Sequence, residues 1–123
     1  MAYTLYMGIE SLRIVSFPRF EKRIYELLDD DDLEYWEIQE EVAAHPLKGN
    51  LIPGGKGLRK LRWGQKGRGK GKSGGIRLIY YYLLESALVF SDAFPKGEKE
   101  DLSSAELAER VAELEEWKHE NSA

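Results

Sequence analysis

The chain has 123 residues, of which 42% are hydrophobic, enough for one domain-sized core, and it has no cysteine, which excludes a disulfide framework or a thiolate metal site. Its net charge of -4 conceals two opposite parts: Val42 to Leu84 carries ten Lys and Arg residues and no Asp or Glu, whereas the other eight basic and all 22 acidic residues lie outside it. No stretch approaches the roughly 20 apolar residues of a membrane span, and Met1 to Leu12 lacks the basic-then-apolar order of a secretory leader; a single cytoplasmic domain with no membrane association is expected.

Met1 to Glu10 reads as an extension without a clear pattern, and Ser11 to Phe17 alternates with Leu12, Ile14 and Ser16 on one side, predicting a short strand. Pro18 suits a first helical turn, and Phe20, Ile24, Leu27 and Leu28 follow at helical spacing, predicting a helix over 18–28. The acidic run Asp29 to Asp32 suits the start of a second helix, with Leu33, Trp36, Ile38, Val42 and Ala43 as its apolar contacts and His45-Pro46 as its end.

Ten of the twelve glycines fall between Gly49 and Gly75, interrupted by Leu58 to Trp63. The two-residue period of a strand places Leu58, Lys60 and Arg62 on one face of that stretch, and Arg59, Leu61 and Trp63 on the other. Gly75 to Leu84 is rich in β-branched and aromatic residues, and Glu85-Ser86 is short enough to turn it back into a further strand, Ala87 to Phe94. Ser103-x-x-Glu106 is a capping-box pattern ahead of Leu107, Val111, Leu114 and Trp117, predicting a final amphipathic helix. The order β-α-α-β-β-β-α predicts an α+β fold: a small antiparallel sheet with two N-terminal helices and a C-terminal helix against one face, leaving the other face for function.

The run Gly64 to Ser73 resembles a nucleotide phosphate loop only in composition. Gly64 to Lys70 fits seven positions of G-x-x-x-x-G-K-[ST], but Gly71 stands where the hydroxyl is needed, and a strand pattern rather than a helix follows. Its Lys66, Arg68, Lys70 and Lys72 instead suit a polyanion, with glycines letting the backbone approach phosphates. Trp63 and Tyr80 to Tyr82 are candidates for stacking on unpaired bases, although a strand with one face on helices must spend some of them on packing. His45 and His119 are isolated, with no metal-ligand spacing, and the carboxylates sit outside the basic segment; neither a metal site nor a paired-carboxylate hydrolase is expected.

Gly54 to Trp63, Gly69-Lys70, Ser73 to Tyr81 and the later Phe94-Pro-Lys-Gly-Glu-Lys-Glu-Asp-Leu102 together resemble toxins of the RelE/HigB family of type II toxin-antitoxin systems. The resemblance runs from about Leu12 to the final helix and implies a microbial RNase fold. It further implies cleavage of messenger RNA in the ribosomal A site, and a cognate antitoxin, of helix-turn-helix DNA-binding type, as partner. Lys60, Arg62 and Arg77 match the family's catalytic basic cluster; Arg59, Lys66, Arg68, Lys70, Lys72 and Lys96 would position RNA. The implied reaction is attack of a ribose 2′-OH on the adjacent phosphodiester without metal or cofactor. Crowding by like charges would suit Lys60 to act as base while Arg62 and Arg77 hold the phosphate oxygens. Some relatives carry a tyrosine and an arginine after the last strand, where this chain has Gly97 and Ser103. A gyrase inhibitor of the related ParE type and a non-cleaving RNA- or ribosome-binding module are the competing expectations.

Overall fold

The computed structural model describes residues 3–7, 12–64 and 75–121. Pro18 opens α1 (Pro18–Leu27) at its first turn, where a missing backbone donor costs nothing, and the helix buries Phe20 and Ile24. Asp29 and Asp30 then adopt left-handed backbone angles, φ 51° and 60°, a conformation short polar side chains tolerate, and break the chain into α2 (Asp32–Ala44). Asp31 caps α2, its carboxylate accepting from the Glu34 amide at 3.1 Å. The buried face of α2 is Glu34, Tyr35, Ile38, Gln39 and Val42: Ile38 and Val42 face inward as expected, whereas Leu33 and Trp36 point outward, 68% and 52% exposed. Tyr35 takes over because its hydroxyl reaches both Ser16 Oγ, at 3.0 Å, and the Glu21 carboxylate on α1.

Six strands form one mixed sheet in the order β1-β2-β6-β5-β4-β3. They are β1 (Tyr3–Met7), β2 (Leu12–Ser16), β3 (Asn50–Leu51), β4 (Arg59–Trp63), β5 (Ile76–Leu83) and β6 (Ala87–Pro95). The α+β class follows the sequence expectation, and the sheet differs from it in three respects. Part of the N-terminal extension is a strand, β1, antiparallel to β2. The sheet is not wholly antiparallel, because β2 runs parallel to β6 in the register Arg13↔Ala87 to Ser16↔Phe90, the two helices between them in sequence letting the chain return in the same direction. A two-residue β3 also pairs with β4.

The third helix also departs from expectation, lying on the opposite face of the sheet from α1 and α2. One cluster joins Phe20, Ile24, Leu28, Tyr35, Ile38 and Val42 to Ile14, Leu61, Ile76, Leu78, Tyr80, Leu88 and Phe90; Phe20 stacks on Phe90 with ring centroids 4.9 Å apart. The second joins Leu114 and Trp117 of α3 (Ser104–Asn121) to Val15, Leu58, Ile79, Val89 and Phe94. Both faces of the central strands β5 and β6 are therefore covered, which is why almost every residue from Ile76 to Phe94 outside the turn is apolar.

The pairing of β5 with β6 slips between Ile79 and Tyr80: Ile79 faces Asp92 and Tyr80 faces Phe90, leaving Ser91 as the extra residue of a bulge. The bulge turns Asp92 toward α3, where it meets Arg110 Nη1 at 3.4 Å and, from α1, Arg19 Nε at 3.2 Å. The capping box of α3 forms in both directions, Ser103 N donating to Glu106 Oε1 at 2.8 Å and Glu106 N to Ser103 Oγ at 3.1 Å. Among the described residues no helix is long and apolar enough to cross a membrane.

Candidate functional site

Alternation along β4 sends Leu61 and Trp63 into the α1/α2 core and Lys60 and Arg62 to the α3 side. On β5 the same rule sends Ile76, Leu78 and Tyr80 to the first core, and Arg77 and Ile79 to the α3 side. Antiparallel register sets Arg62 directly opposite Arg77 and Lys60 opposite Ile79. The three cations named from sequence thus share one patch of sheet, at the end of the β4–β5 hairpin.

What draws them together is a carboxylate from elsewhere. Glu100, in the connection between β6 and α3, accepts from Arg77 Nε at 2.9 Å and Nη2 at 2.7 Å, a bidentate pair. The same residue accepts from Lys60 Nζ at 3.3 Å and Arg62 Nη2 at 3.4 Å, and its backbone carbonyl accepts from Lys60 Nζ at 3.3 Å. Asp101 adds a second carboxylate on Lys60. Arg77 is buried, its side chain 1% exposed, while Glu100 remains 38% exposed, so the seat opens outward through the carboxylate. Hydrogen bonding from Arg77, then from Lys60, holds the Glu100 carboxyl down at about 2, from an ordinary 4.5.

The cluster differs from the sequence expectation in its charge. Three cations face two carboxylates, so Lys60 is ion-paired with Glu100 and Asp101 and not surrounded by like charges alone. Sequence reasoning left Glu100 and Asp101 without a role. The available signal was their place in Glu98-Lys-Glu-Asp101, an acidic run in the segment that follows the last strand, and only the sheet topology brings that run beside β4.

The remaining candidates divide. Arg59 lies on the opposite face of β4 from the cluster, where its Nη1 donates to the carbonyls of Gly49 at 2.7 Å and Leu47 at 3.3 Å, holding the connection that precedes β3. Lys96 is exposed and its backbone amide donates to the Gly75 carbonyl at 3.0 Å, placing it at the root of the basic segment. Lys66, Arg68, Lys70 and Lys72 lie outside the described residues. At Gly75 a side chain has no room: a Cβ there would come within 2.0 Å of the Trp63 carbonyl oxygen.

The aromatic candidates are engaged in packing. Trp63 Nε1 donates to Glu34 Oε2 at 2.9 Å, and the Tyr80 hydroxyl donates to the Pro46 carbonyl at 2.7 Å while accepting from the Gly49 amide at 2.9 Å. Tyr81 lies under Lys118, whose Nζ is 4.5 Å from the ring centroid, and the Tyr82 hydroxyl accepts from the Glu85 amide at 2.9 Å. Both histidines are exposed and lie at helix ends, His45 after α2 and His119 in the last turn of α3. Among the described residues no group of three or more His, Cys, Asp or Glu side chains converges on a metal position. No protein-family model matches the chain.

Proposed function

We propose that this chain is a ribosome-dependent endoribonuclease toxin that cuts messenger RNA, as its sequence resemblance to RelE/HigB toxins implies, with a cognate antitoxin as its controlling partner. One observation carries the reading: Lys60, Arg62 and Arg77 converge on a single two-oxygen anion on the sheet surface. A phosphodiester offers the same pair of terminal oxygens as that carboxylate, and guanidinium groups bind either bidentately.

With a phosphodiester in the seat, the ribose 2′-oxygen loses its proton and attacks phosphorus, the bond to the 5′-oxygen breaks, and that oxygen takes a proton from solvent, giving a 2′,3′-cyclic phosphate and a 5′-hydroxyl. Negative charge grows on the terminal oxygens as phosphorus becomes five-coordinate, and donors already aimed at those oxygens stabilise that state more than the starting one. Arg77 is the most pre-organised of them, since its burial fixes the guanidinium plane. Lys60 is the residue assigned to the 2′-OH proton; in that role it must first leave Glu100 and Asp101 and pass a proton to solvent.

The saturation of the cluster by Glu100 favours a second reading, a module that binds RNA or the ribosome without cutting. Primer extension on messenger RNA with programmed ribosomes separates the two. Wild-type protein should give cuts ending in cyclic phosphate that vanish with Arg77→Ala and with ribosome-free RNA. Salt-sensitive binding with no cuts in any sample would establish the binding module instead, and inhibition of gyrase would establish the ParE-type alternative.

A further inference from the structure

We propose that Glu100 is a built-in competitor for the phosphate seat: its carboxylate occupies the place of an RNA phosphodiester on Lys60, Arg62 and Arg77, and RNA binds by exchanging with it. The inference rests on the reading of this patch as an RNA site and specifies how that site is regulated.

The seat satisfies Glu100 more fully than an incidental surface pair would. Its two oxygens take four hydrogen bonds from three cations, two of them from a buried guanidinium. The chain on either side is pinned, so the carboxylate is delivered there by construction. Glu98 is held by Arg23 Nη2 at 2.8 Å, and Lys99 by Glu106 and by the Phe94 ring, 5.0 Å from its centroid. Two residues beyond Asp101 the capping box of α3 begins.

Exchange needs no backbone motion. Glu100 is 38% exposed and has three side-chain torsions, so rotation toward solvent vacates the seat while Glu98 and Lys99 stay anchored. The resting arrangement also suits burial, because Glu100 gives the buried Arg77 guanidinium two charge-assisted acceptors. An internal carboxylate is present at high effective concentration, against which a free RNA strand competes poorly. An RNA held in place by a larger assembly competes on equal terms. Dependence on the ribosome then follows from exchange at this seat, with no need for the ribosome to supply a chemical group.

The test uses the full chain and a fluorescein-labelled 2′-O-methyl RNA decamer, which cannot be cleaved, with affinity read by anisotropy. Glu100→Gln should bind about tenfold more tightly than wild type, because the competitor loses its charge but keeps an acceptor for Arg77. Glu40→Gln, an equal change of net charge on the exposed side of α2, should change affinity by less than about twofold. Glu100→Asp, which keeps the charge and shortens the reach, should fall between and carries the test alone if the glutamine variant does not fold. Inorganic phosphate should raise the melting temperature of Glu100→Gln more than that of wild type. Equal tightening by Glu100→Gln and Glu40→Gln, or equal stabilisation by phosphate, would overturn the exchange. Loss of the nuclease reading has a different signature, namely no cyclic-phosphate ends from wild-type protein on ribosomes whatever the affinities.

Discussion

Arg77 and Glu100 meet side-on, guanidinium Nε and Nη2 donating to the two carboxylate oxygens at 2.9 and 2.7 Å, one partner buried in the sheet and the other partly exposed over its face. The pairing needs the planar fork of arginine, which a lysine cannot copy. Arg77→Lys should therefore reduce ribosome-dependent cleavage by about 100-fold or more, as removal of one oxyanion donor does elsewhere. Its stability in urea should fall by only about 1–3 kcal/mol. Wild-type cleavage by the lysine variant would remove Arg77 from the chemistry.

Acid should loosen this face of the molecule. Glu100 and Glu106 are both held at about 2, the first chiefly by Arg77 and the second chiefly by Lys99. Their folded values lie below the ordinary 4.5, so the stabilisation they give is complete above that value and is lost as pH falls from there toward 2. Denaturant midpoints measured on a descending pH series should drop in that window. The drop should be shallower in Glu106→Gln, and a drop of unchanged depth would contradict the assignment.

Lys60 and Arg62 share a face of β4 but not an environment, the lysine side chain being 17% exposed and the arginine 59%. Lys60→Met should abolish detectable cleavage while leaving the fold intact, since the methionine stem keeps most of the packing of the lysine chain. Arg62→Ala should cost less, mainly weakening RNA binding with a reduced dependence on salt. Retention of wild-type cleavage by Lys60→Met would overturn its assignment to the 2′-OH proton.

Gly75 closes the β4–β5 hairpin against the Trp63 carbonyl with no space for a side chain. Gly75→Val should destabilise the protein by about 1–3 kcal/mol through forced displacement of the strand end. Because Arg77 lies two residues away, the same variant should lose activity before it loses its fold, which circular dichroism and cleavage measured at one temperature would separate.

Local patterns announced most elements. Alternation in β4 named Lys60 and Arg62 as neighbours, proline and periodicity placed α1, and the Ser103/Glu106 pattern placed the start of α3. The choice of buried face on α2 was missed because Trp36 and Tyr35 are both aromatic, and only the polar partners Ser16 and Glu21 decide for the tyrosine. The strand β1 was missed because Tyr3 to Met7 is apolar at every position but Thr4, so alternation has no contrast to show. Parallel pairing of β2 with β6, and α3 on the far face, are decisions between distant segments that no local spacing encodes. Glu100 belongs with these: its charge is plain in the sequence, its address is not.

Parallel pairing of β2 with β6 joins Arg13 to Ala87, the start of the chain to a strand made near its end. That contact spans most of the chain, whereas β4, β5 and β6 pair with near neighbours in sequence. The catalytic candidates thus sit on strands that pair with their neighbours in sequence, whereas β2, inside the sheet, takes its parallel partner from far along the chain.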